Sequence, residues 1–289
     1  MVKVGGLINR SLGRYLAGFR AFAAAFETSK EIYYNSYDSK VPDSTLCGSG
    51  VDVRVLGIGS GAGGIDCVIL RNLLQRHSGV YNRVIEPSKD MIEQYKALLG
   101  KNTGLSSVKF DWRQQTAEEY FQAKADTQFN LIHAIHALYY VEDINAALRN
   151  MWEQLADGGY MLVAMESDES DWGKLQHKLW EEFGRGDRLA SPFRMSGDIK
   201  QWLDTKGISF VTSTDETRLN VSKCFKEHSE TGNLLLDFLT KTPYVADEPE
   251  VNSMVLDYIR RNSSEVDDKM LFQSITETIV AFKRCSEEK

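Results

Sequence analysis

The first forty residues have the apolar spacing of helices. Between positions 12 and 26, one helical face is occupied by Leu12, Tyr15, Leu16, Phe19, Phe22, Ala23 and Phe26. This spacing predicts an amphipathic helix, followed by a second helix that ends near Tyr37. Residues 41–50 then contain Pro42, Gly48 and Gly50 among polar side chains, which indicates a linker.

From residue 53 onward, short apolar runs alternate with amphipathic stretches. The apolar runs predict strands at residues 53–58, 107–112, 129–135, 160–165 and 276–283, with a further strand that ends at 83–86. The amphipathic stretches predict helices at 65–74, 87–98 and 144–155, with Pro87 at an early helical position and a turn at 157–159. Such alternation is typical of an α/β fold with a mostly parallel sheet covered on both faces.

The pattern becomes less regular after residue 166. Large aromatic side chains in this stretch predict a cap over a pocket: Trp172, Trp180, Phe183 and Phe193. A helix and a strand are expected within residues 198–212, and further helices near 232–240 and 253–261.

The composition narrows the class of protein. The chain has 289 residues, of which 42% are hydrophobic and 26% charged, as expected of a globular protein with a sizeable core. Its net charge is −7 and no block of Lys and Arg offsets it, which disfavours a nucleic-acid partner and favours a small molecule.

No apolar run reaches the roughly 18 residues of a membrane span, and the richest one, residues 16–26, contains Arg20. Because this run also lacks the features of a signal peptide, we expect a cytoplasmic protein. The four cysteines, Cys47, Cys67, Cys224 and Cys285, form no CxxC pair, so we expect free thiols and no metal site.

A glycine-rich segment separates the first predicted strand from its helix. Residues 59–64 read Gly-Ser-Gly-Ala-Gly-Gly, and Gly59, Ser60 and Gly61 are the candidate contacts of a cofactor. Glycine lets the backbone approach a ligand closely, and the helix N-terminus offers free N–H groups. The segment satisfies both the GxGxxG pattern of dinucleotide sites and the GxGxG pattern of S-adenosylmethionine-dependent methyltransferases, and a turn without a ligand is the third reading.

Glu86 ends the second predicted strand, at the distance from the glycines that suits a ribose contact. Its carboxylate would accept hydrogen bonds from the ribose hydroxyls of either cofactor. The alternative reading is a solvated residue at the start of a helix.

Six blocks of sequence resemble the histamine N-methyltransferase-like family of class I S-adenosylmethionine-dependent methyltransferases. They are GRYLAGFRAF, LGIGSGAGGID, VIEPSKDMIEQYK, VKFDW, HALYYVEDI and GNLLLDFLT, in this order and over nearly the whole chain. The run FNLIHAI and the turn LADGGYMLV are similar to the fourth and fifth strands of class I methyltransferases. The resemblance implies S-adenosyl-L-methionine as the cofactor and a cytosolic monomer.

The same resemblance implies the fold and the division of the chain. We expect a Rossmann-like sheet of seven mostly parallel strands with a small substrate-binding subdomain. Residues 1–45 would supply N-terminal helices that cap the substrate site, and residues 46–215 the cofactor-binding core. Residues 216–289 would complete the core and the substrate pocket.

The family pattern places cofactor contacts on named positions of this chain. They are Gly59, Ser60, Gly61, Glu86, Pro87, Met91, Ala117 and Ile135. Met91 stands where the family has Gln, and Ala117 where it has Ser, so these two positions would offer backbone contacts alone.

The family also implies a substrate site with an aromatic enclosure, which suits a cation or an imidazole ring. The corresponding positions are Tyr15, Phe19, Tyr139, Tyr140, Phe183 and Phe238. Among the polar positions, His136 replaces a Gln and Ser274 an Asn, while Thr28 aligns with a Glu that Glu27 would replace only if the helix end is shifted. A Trp of the family's cap appears as Gln176.

The chemistry needs no nucleophilic side chain, because methyl transfer depends on an unprotonated nitrogen held in line with the methyl group. We therefore assign no catalytic residue and expect His136, Tyr139 and Tyr140 to position the acceptor. His136 would orient a donor, accept a proton or, when charged, bind a carboxylate. His133, which alternates with it in the strand, is expected to be packed.

The sequence thus predicts an N-methyltransferase for a small amine or imidazole compound other than, or besides, histamine. An imidazole dipeptide or an amino acid is one alternative acceptor. A protein that binds S-adenosylmethionine without catalysis is a second reading, and a nicotinamide oxidoreductase, based on GxGxxG alone, is a third.

Overall fold

A computed structural model describes residues 3–42, 53–123, 127–184 and 193–284. Most of the predicted linker, together with Cys47 and Cys285, lies outside these ranges. The chain divides into two compact units. The sheet unit comprises Lys30–Met165, Asp198–Ser213 and Glu277–Lys289, and the helical unit comprises Met1–Ser29, Glu166–Gly197 and Thr214–Thr276.

The described residues form α-helices and strands in nearly the predicted order. The helices are α1 (Leu7–Arg10), α2 (Leu12–Ala25), α3 (Lys30–Asn35), α4 (Gly64–Leu74), α5 (Lys89–Gly100), α6 (Ala117–Gln122), α7 (Ile144–Gln154), α8 (Asp171–Phe183), α9 (Ser196–Thr205), α10 (Glu230–Thr240) and α11 (Pro249–Asn262). The strands are β1 (Val53–Ile58), β2 (Val80–Ile85), β3 (Val108–Arg113), β4 (Phe129–Ile135), β5 (Leu155–Glu166), β6 (Phe210–Asn220), β7 (Ser263–Val266) and β8 (Lys269–Phe282). Short 3-10 helices occupy Ser36–Lys40, Thr103–Leu105, Leu138–Tyr140, Ser222–Phe225 and Val245–Asp247.

The sheet has the strand order β3-β2-β1-β4-β5-β8-β6, and the expectation of a Rossmann-like, mostly parallel sheet is confirmed. β1 pairs in parallel with β2 and with β4, β2 with β3, and β4 with β5. Because parallel strands need long crossover connections, helices cover the sheet faces. An eighth strand, β7, pairs antiparallel with β8 from Ser263 opposite Phe272 to Val266 opposite Lys269, within the helical unit.

The core of the sheet unit consists of two apolar clusters. Leu56, Ile58 and Ile132 belong to one cluster, whereas Val55 and Leu131 belong to the other. Since successive side chains of a strand point to opposite faces, these assignments place one cluster on each side of the sheet.

The core of the helical unit is a third apolar cluster, to which α2, α8, α10 and α11 contribute. Asp237, buried in α10, pairs with Arg14 of α2 and accepts the backbone N–H groups of Tyr244 and Val245 at 3.1 and 2.9 Å. A buried carboxylate needs such partners, because an unpaired one is costly to remove from water. These bonds join α2 to α10 within the cluster.

Several local predictions need correction. Residues 157–159 do not precede β5 but form an irregularity inside it, where the register passes from Phe129 opposite Leu155 to Leu131 opposite Tyr160. Pro87 lies before α5 rather than in it, since Ser88 is the N-cap and accepts the N–H of Met91 at 3.4 Å.

The stretch after residue 166 is more regular than predicted. It contains α8, where Trp172, Leu175, Leu179 and Phe183 are buried at the spacing of one helical face. The last strand is also longer than residues 276–283 and begins at Lys269. None of the described helices is long and apolar enough to cross a membrane.

Candidate active site

The glycine-rich loop joins β1 to α4 in the sheet unit. Gly59, Gly61 and Gly63 have φ values of 66°, 55° and 75°, which is the left-handed region that favours glycine. The N–H of Gly59 donates to the carbonyl of Ile85 at 2.8 Å, so the loop begins with a bond to the end of β2. The sequence repeats glycine here because the backbone conformation requires it.

One side of this loop is packed and the other is open. A β-carbon at Gly63 would lie 2.1 Å from Cδ2 of Tyr95, a ring that is fully buried. A β-carbon at Gly61 would meet no described atom within 4 Å. The loop therefore rests on Tyr95 at Gly63 and leaves space for a ligand at Gly61.

Glu86 lies directly after β2, and its carboxylate faces the loop. One oxygen accepts the N–H of Gly61 at 2.9 Å and the other accepts the N–H of Ser88 at 2.9 Å. Burial raises the pKa of Glu86, and these two N–H groups partly offset the shift. A carboxylate has about four acceptor positions, so Glu86 is suited to accept ribose hydroxyls in addition. The loop and Glu86 fit a nucleoside cofactor.

The remaining predicted cofactor residues also follow strand ends of the sheet unit. Pro87 is exposed beside Glu86, and Met91 is in the first turn of α5. Ala117 opens α6 behind a capping box formed by Thr116 and Glu119. Ile135 ends β4 opposite Ala164 of β5. Because β1 to β4 run parallel, their carboxyl ends lie at one edge, where ligands of such sheets bind.

A buried polar pair, Asp66 and His133, lies beside Gly57, just before the glycine-rich loop, and was not predicted from the sequence. Asp66 of α4 and His133 of β4 are both buried, with 3.8 Å between Oδ2 and Nε2. Burial raises the pKa of Asp66, and His133 partly offsets that shift. Gly57 accommodates the pair, because a β-carbon there would lie 2.9 Å from Cε1 of His133. The expectation that His133 is packed agrees with this position.

His136, the first residue after β4, is held by two tyrosines. Its Nε2 lies 2.5 Å from the hydroxyl of Tyr33, and its Nδ1 lies 3.1 Å from the hydroxyl of Tyr139. Its backbone has φ 52°, an unusual value outside glycine, and its N–H donates to Ala164 at 2.9 Å. Burial, together with the nearby Lys40 ammonium, lowers the pKa of the imidazole to about 4. His136 is therefore neutral at pH 7.

Tyr33 was not among the predicted site residues, because the sequence indicated only a helix that ends near Tyr37. Its hydroxyl also lies 3.2 Å from that of Tyr37, which is fully buried, and Lys40 stands 4.8 Å from the Tyr37 ring. Tyr139 stacks on His136 with 6.1 Å between ring centroids, and Tyr140, 40% exposed, contacts Tyr139 edge to face.

In the helical unit, the structure brings together three of the predicted aromatic residues. The ring of Phe238 lies 5.9 Å from both Tyr15 and Phe19. Phe22 and Trp172 extend this aromatic cluster, with centroids 4.6 and 6.1 Å from Phe238. Phe183 is buried in the same apolar core. These rings provide faces that suit a cation or a flat heterocycle.

The predicted polar positions of the helical unit contact other groups of the protein. Glu27 is 2.8 Å from the ammonium of Lys269 at the surface, and the Thr28 hydroxyl lies 3.2 Å from that of Thr217. Gln176 is buried and donates to the carbonyl of Leu239. Hence neither Glu27 nor Thr28 offers a buried carboxylate.

Ser274 instead donates to a buried carboxylate that the sequence did not identify. Its hydroxyl lies 2.7 Å from Oε2 of Glu166, the last residue of β5. The missed signal is the one that identified Glu86, namely an acidic residue at the end of an apolar strand. Among the residues that the structure describes, no group of three or more His, Cys, Asp or Glu is placed to hold a metal ion.

A methyl group added at Gly63 is expected to destabilise the protein more than one added at Gly61. Gly63→Ala adds the strain of a positive φ, about 1–3 kcal/mol, and a clash with Tyr95, whereas Gly61→Ala adds the strain alone. We expect Gly63→Ala to lower the free energy of unfolding by at least about 1 kcal/mol more than Gly61→Ala. Urea unfolding of both variants measures the difference, and equal losses would contradict the packing of Gly63 on Tyr95.

Comparison with known proteins identifies the family. A family model described as a methyltransferase domain matches residues 8–213. The chain is 33% identical over 286 residues to histamine N-methyltransferase of Danio rerio, covering 92% of this chain and 94% of that protein. It is 34% identical over 241 residues to the Bos taurus histamine N-methyltransferase, covering 79% and 80%.

A solved structure shows that the fold is shared. The YcgJ protein of Bacillus subtilis has a TM-score of 0.55 to this chain at 14% identity, covering 88% of this chain and all of that one. Because the family model and the relatives each match most of the sequence, the chain belongs to the histamine N-methyltransferase-like family of class I methyltransferases, enzymes that use S-adenosylmethionine as methyl donor.

Proposed function

We propose that this enzyme methylates a nitrogen of a small amine or imidazole compound. The observation that carries the proposal is the pairing of the Glu86 carboxylate with the Gly61 N–H at the ends of β2 and β1. This arrangement supports a nucleoside cofactor, and the 33–34% identity to histamine N-methyltransferases supports an amine acceptor. The nicotinamide and non-catalytic alternatives have no observation of their own in their favour.

Residues of the sheet unit would hold the cofactor. Glu86 would accept its ribose hydroxyls, and the N–H groups of the loop would face its polar part. The proposed contacts are Gly59, Ser60, Gly61, Glu86, Pro87, Met91, Ala117 and Ile135. When bound, S-adenosylmethionine supplies an electrophilic methyl group on a sulfonium.

Each unit contains side chains whose chemistry suits the acceptor, and each set is proposed by itself. In the helical unit, Tyr15, Phe19 and Phe238 would attract the positive charge or imidazole face of the acceptor through their rings. Phe183 and Ser274 complete that set, whereas Glu27, which the sequence also placed there, pairs with Lys269 at the surface. In the sheet unit, His136, Tyr139 and Tyr140 would orient the acceptor nitrogen.

His136 suits orientation better than ion pairing. A neutral imidazole has one donor and one acceptor nitrogen, and both nitrogens have tyrosine hydroxyls within 3.1 Å. With a pKa of about 4, the ring carries no charge with which to bind a carboxylate near pH 7. An amine or imidazole without a carboxylate is therefore better supported than an amino acid or a dipeptide.

We further propose that the enzyme acts as a cytoplasmic monomer. The buried, unpaired thiols of Cys67 and Cys224 are compatible with a reducing compartment. We propose that residues 1–45 cap the acceptor and that residues 46–215 bind the cofactor. Residues 216–289 would complete the core and the pocket.

Mass spectrometry of reaction mixtures tests the activity. The purified protein is incubated with S-adenosylmethionine and a panel of histamine, histidine, imidazole dipeptides and biogenic amines. We expect an increase of one methyl group on an amine or imidazole without a carboxylate. Cofactor binding with no methylated product from any member would favour the non-catalytic reading, and preferred turnover of histidine or a dipeptide would contradict our interpretation of His136.

The role of Glu86 predicts a loss of cofactor affinity. Glu86→Gln removes the charge that strengthens hydrogen bonds to ribose hydroxyls, so we expect the dissociation constant of S-adenosylmethionine to rise about 10- to 100-fold. Glu93→Gln, on the exposed face of α5, is the matched control and leaves the constant unchanged. Calorimetry on both variants measures this, and equal affinities would exclude the ribose contact.

The role of His136 predicts a change of acceptor preference. His136→Gln restores the residue type of the family, so we expect the kcat/KM for histamine, relative to that for the preferred acceptor, to rise about tenfold. The control is His177→Gln, at an exposed histidine of α8. An unchanged ratio in the His136 variant would show that this residue does not select the acceptor.

A further inference from the structure

Glu166 is a buried acidic side chain with an ordered set of donors. Its Oε1 accepts the Ser170 hydroxyl at 2.5 Å and the N–H of Ile275 at 3.1 Å, and its Oε2 accepts the Ser274 hydroxyl at 2.7 Å. Its residue is only 2% exposed. Burying a carboxylate is costly even with such partners, so its presence at this position calls for an explanation beyond packing.

The neighbours of Glu166 connect it to the aromatic cluster of the helical unit. Ser170 is the N-cap of α8, and Trp172 in the first turn of that helix contacts Phe22 and Phe238. Lys241, whose charge acts on Glu166, directly follows α10, the helix that contains Phe238. The carboxylate thus lies six residues before Trp172, one of the rings of this aromatic cluster, which suits a cation.

Ser274 is the hydroxyl through which this carboxylate can act on a ligand. When its O–H donates to Glu166, the lone pairs of Oγ remain to accept from another group. A hydroxyl fixed by a carboxylate is a stronger acceptor, because linked hydrogen bonds polarise one another. An ammonium or imidazole N–H is the donor that such an acceptor recognises.

We propose that Glu166 is a positioning residue that orients the Ser274 hydroxyl to accept an N–H of the amine substrate. This inference rests on the proposed function. Glu27 pairs with Lys269 at the surface and Thr28 carries no charge, so neither of them supplies a buried carboxylate, whereas Glu166 does. Glu166 selects a cationic or N–H-bearing acceptor while remaining out of contact with it.

The ionisation of Glu166 predicts a pH dependence of substrate binding that a purely structural role would not produce. Burial raises its pKa to about 7, while Ser170, Ser274, the N–H of Ile275 and the Lys241 ammonium oppose the shift. Because the folded-state pKa is raised, the carboxyl is protonated at pH 5.5 and ionised at pH 8.5. Its contribution to folding stability is lost as the pH rises through about 7.

The decisive experiment compares Glu166→Gln with the wild-type enzyme at both pH values. The probe is the amine of the panel that is methylated fastest, or histamine if none is methylated. Its KM, or its dissociation constant by calorimetry in the presence of S-adenosylhomocysteine, is measured. We expect equal values at pH 5.5, where both side chains are neutral, and a value about tenfold higher for Glu166→Gln at pH 8.5, with kcat unchanged. Because both proteins receive the same probe, its own titration cancels.

Two serine variants separate orientation from stability. Ser274→Ala removes the proposed contact and a donor to the buried Glu166 carboxylate, so we expect the KM to rise about tenfold at pH 8.5 and the melting temperature to fall. Ser170→Ala removes a donor to the same carboxylate and the N-cap of α8, so we expect a lower melting temperature and an unchanged KM. Equal effects of the two variants on KM would overturn the inference.

The remaining outcomes are equally decisive. A ratio of KM values for Glu166→Gln and wild type that is the same at both pH values would show a structural role alone. Failure of the wild-type enzyme to bind the probe at either pH would also overturn the inference. S-adenosylmethionine binding and product formation, measured in the same preparations, report separately on the proposed function.

Discussion

The pairing of β1 with β2 on one side and with β4 on the other is the constraint on which the candidate site depends. Residues just past the strand ends continue the backbone ladder. Gly59 donates to Ile85 at 2.8 Å, Glu86 to Arg113 at 3.1 Å, and His136 to Ala164 at 2.9 Å. A central parallel sheet is rigid and buried, so side chains attached to it in this way are held precisely. The loop, the carboxylate and the imidazole obtain their positions from these bonds.

The sequence was sufficient for features that depend on local pattern. The apolar runs and the glycines after β1 predicted a strand, a loop and a helix, and the structure has them at Val53–Ile58 and Gly64–Leu74. Glu86 was predicted because an acidic residue at the end of the second strand is suited to bind the ribose of a nucleoside cofactor. The errors at residues 157–159 and at Pro87 are local as well, since strand irregularities and the first residue of a helix depend on bonds that propensities do not encode.

Features that depend on contacts between residues far apart in the chain could not be predicted from the sequence. Tyr33 contacts His136 and Glu166 contacts Ser274, although each pair is more than a hundred residues apart in the chain. His136 illustrates the difference in kind. Its position was predicted from family resemblance, but its neutral state follows from burial and from Lys40, which only the fold reveals. Residue type indicates which chemistry is available, and the surroundings decide which protonation state carries it out.

The irregularity in β5 has a consequence for how the family can vary in length. Four residues, 156–159, span the interval that Asn130 alone spans on β4, and pairing resumes at Tyr160 opposite Leu131. Insertions or deletions within this excess change the size of the bulge and leave the later pairs as they are. A single deletion after Tyr160 would exchange the two faces of the rest of β5, because side chains alternate along a strand. Evolution can therefore vary chain length before Tyr160 while the side of the sheet on which Glu166 emerges is inherited unchanged.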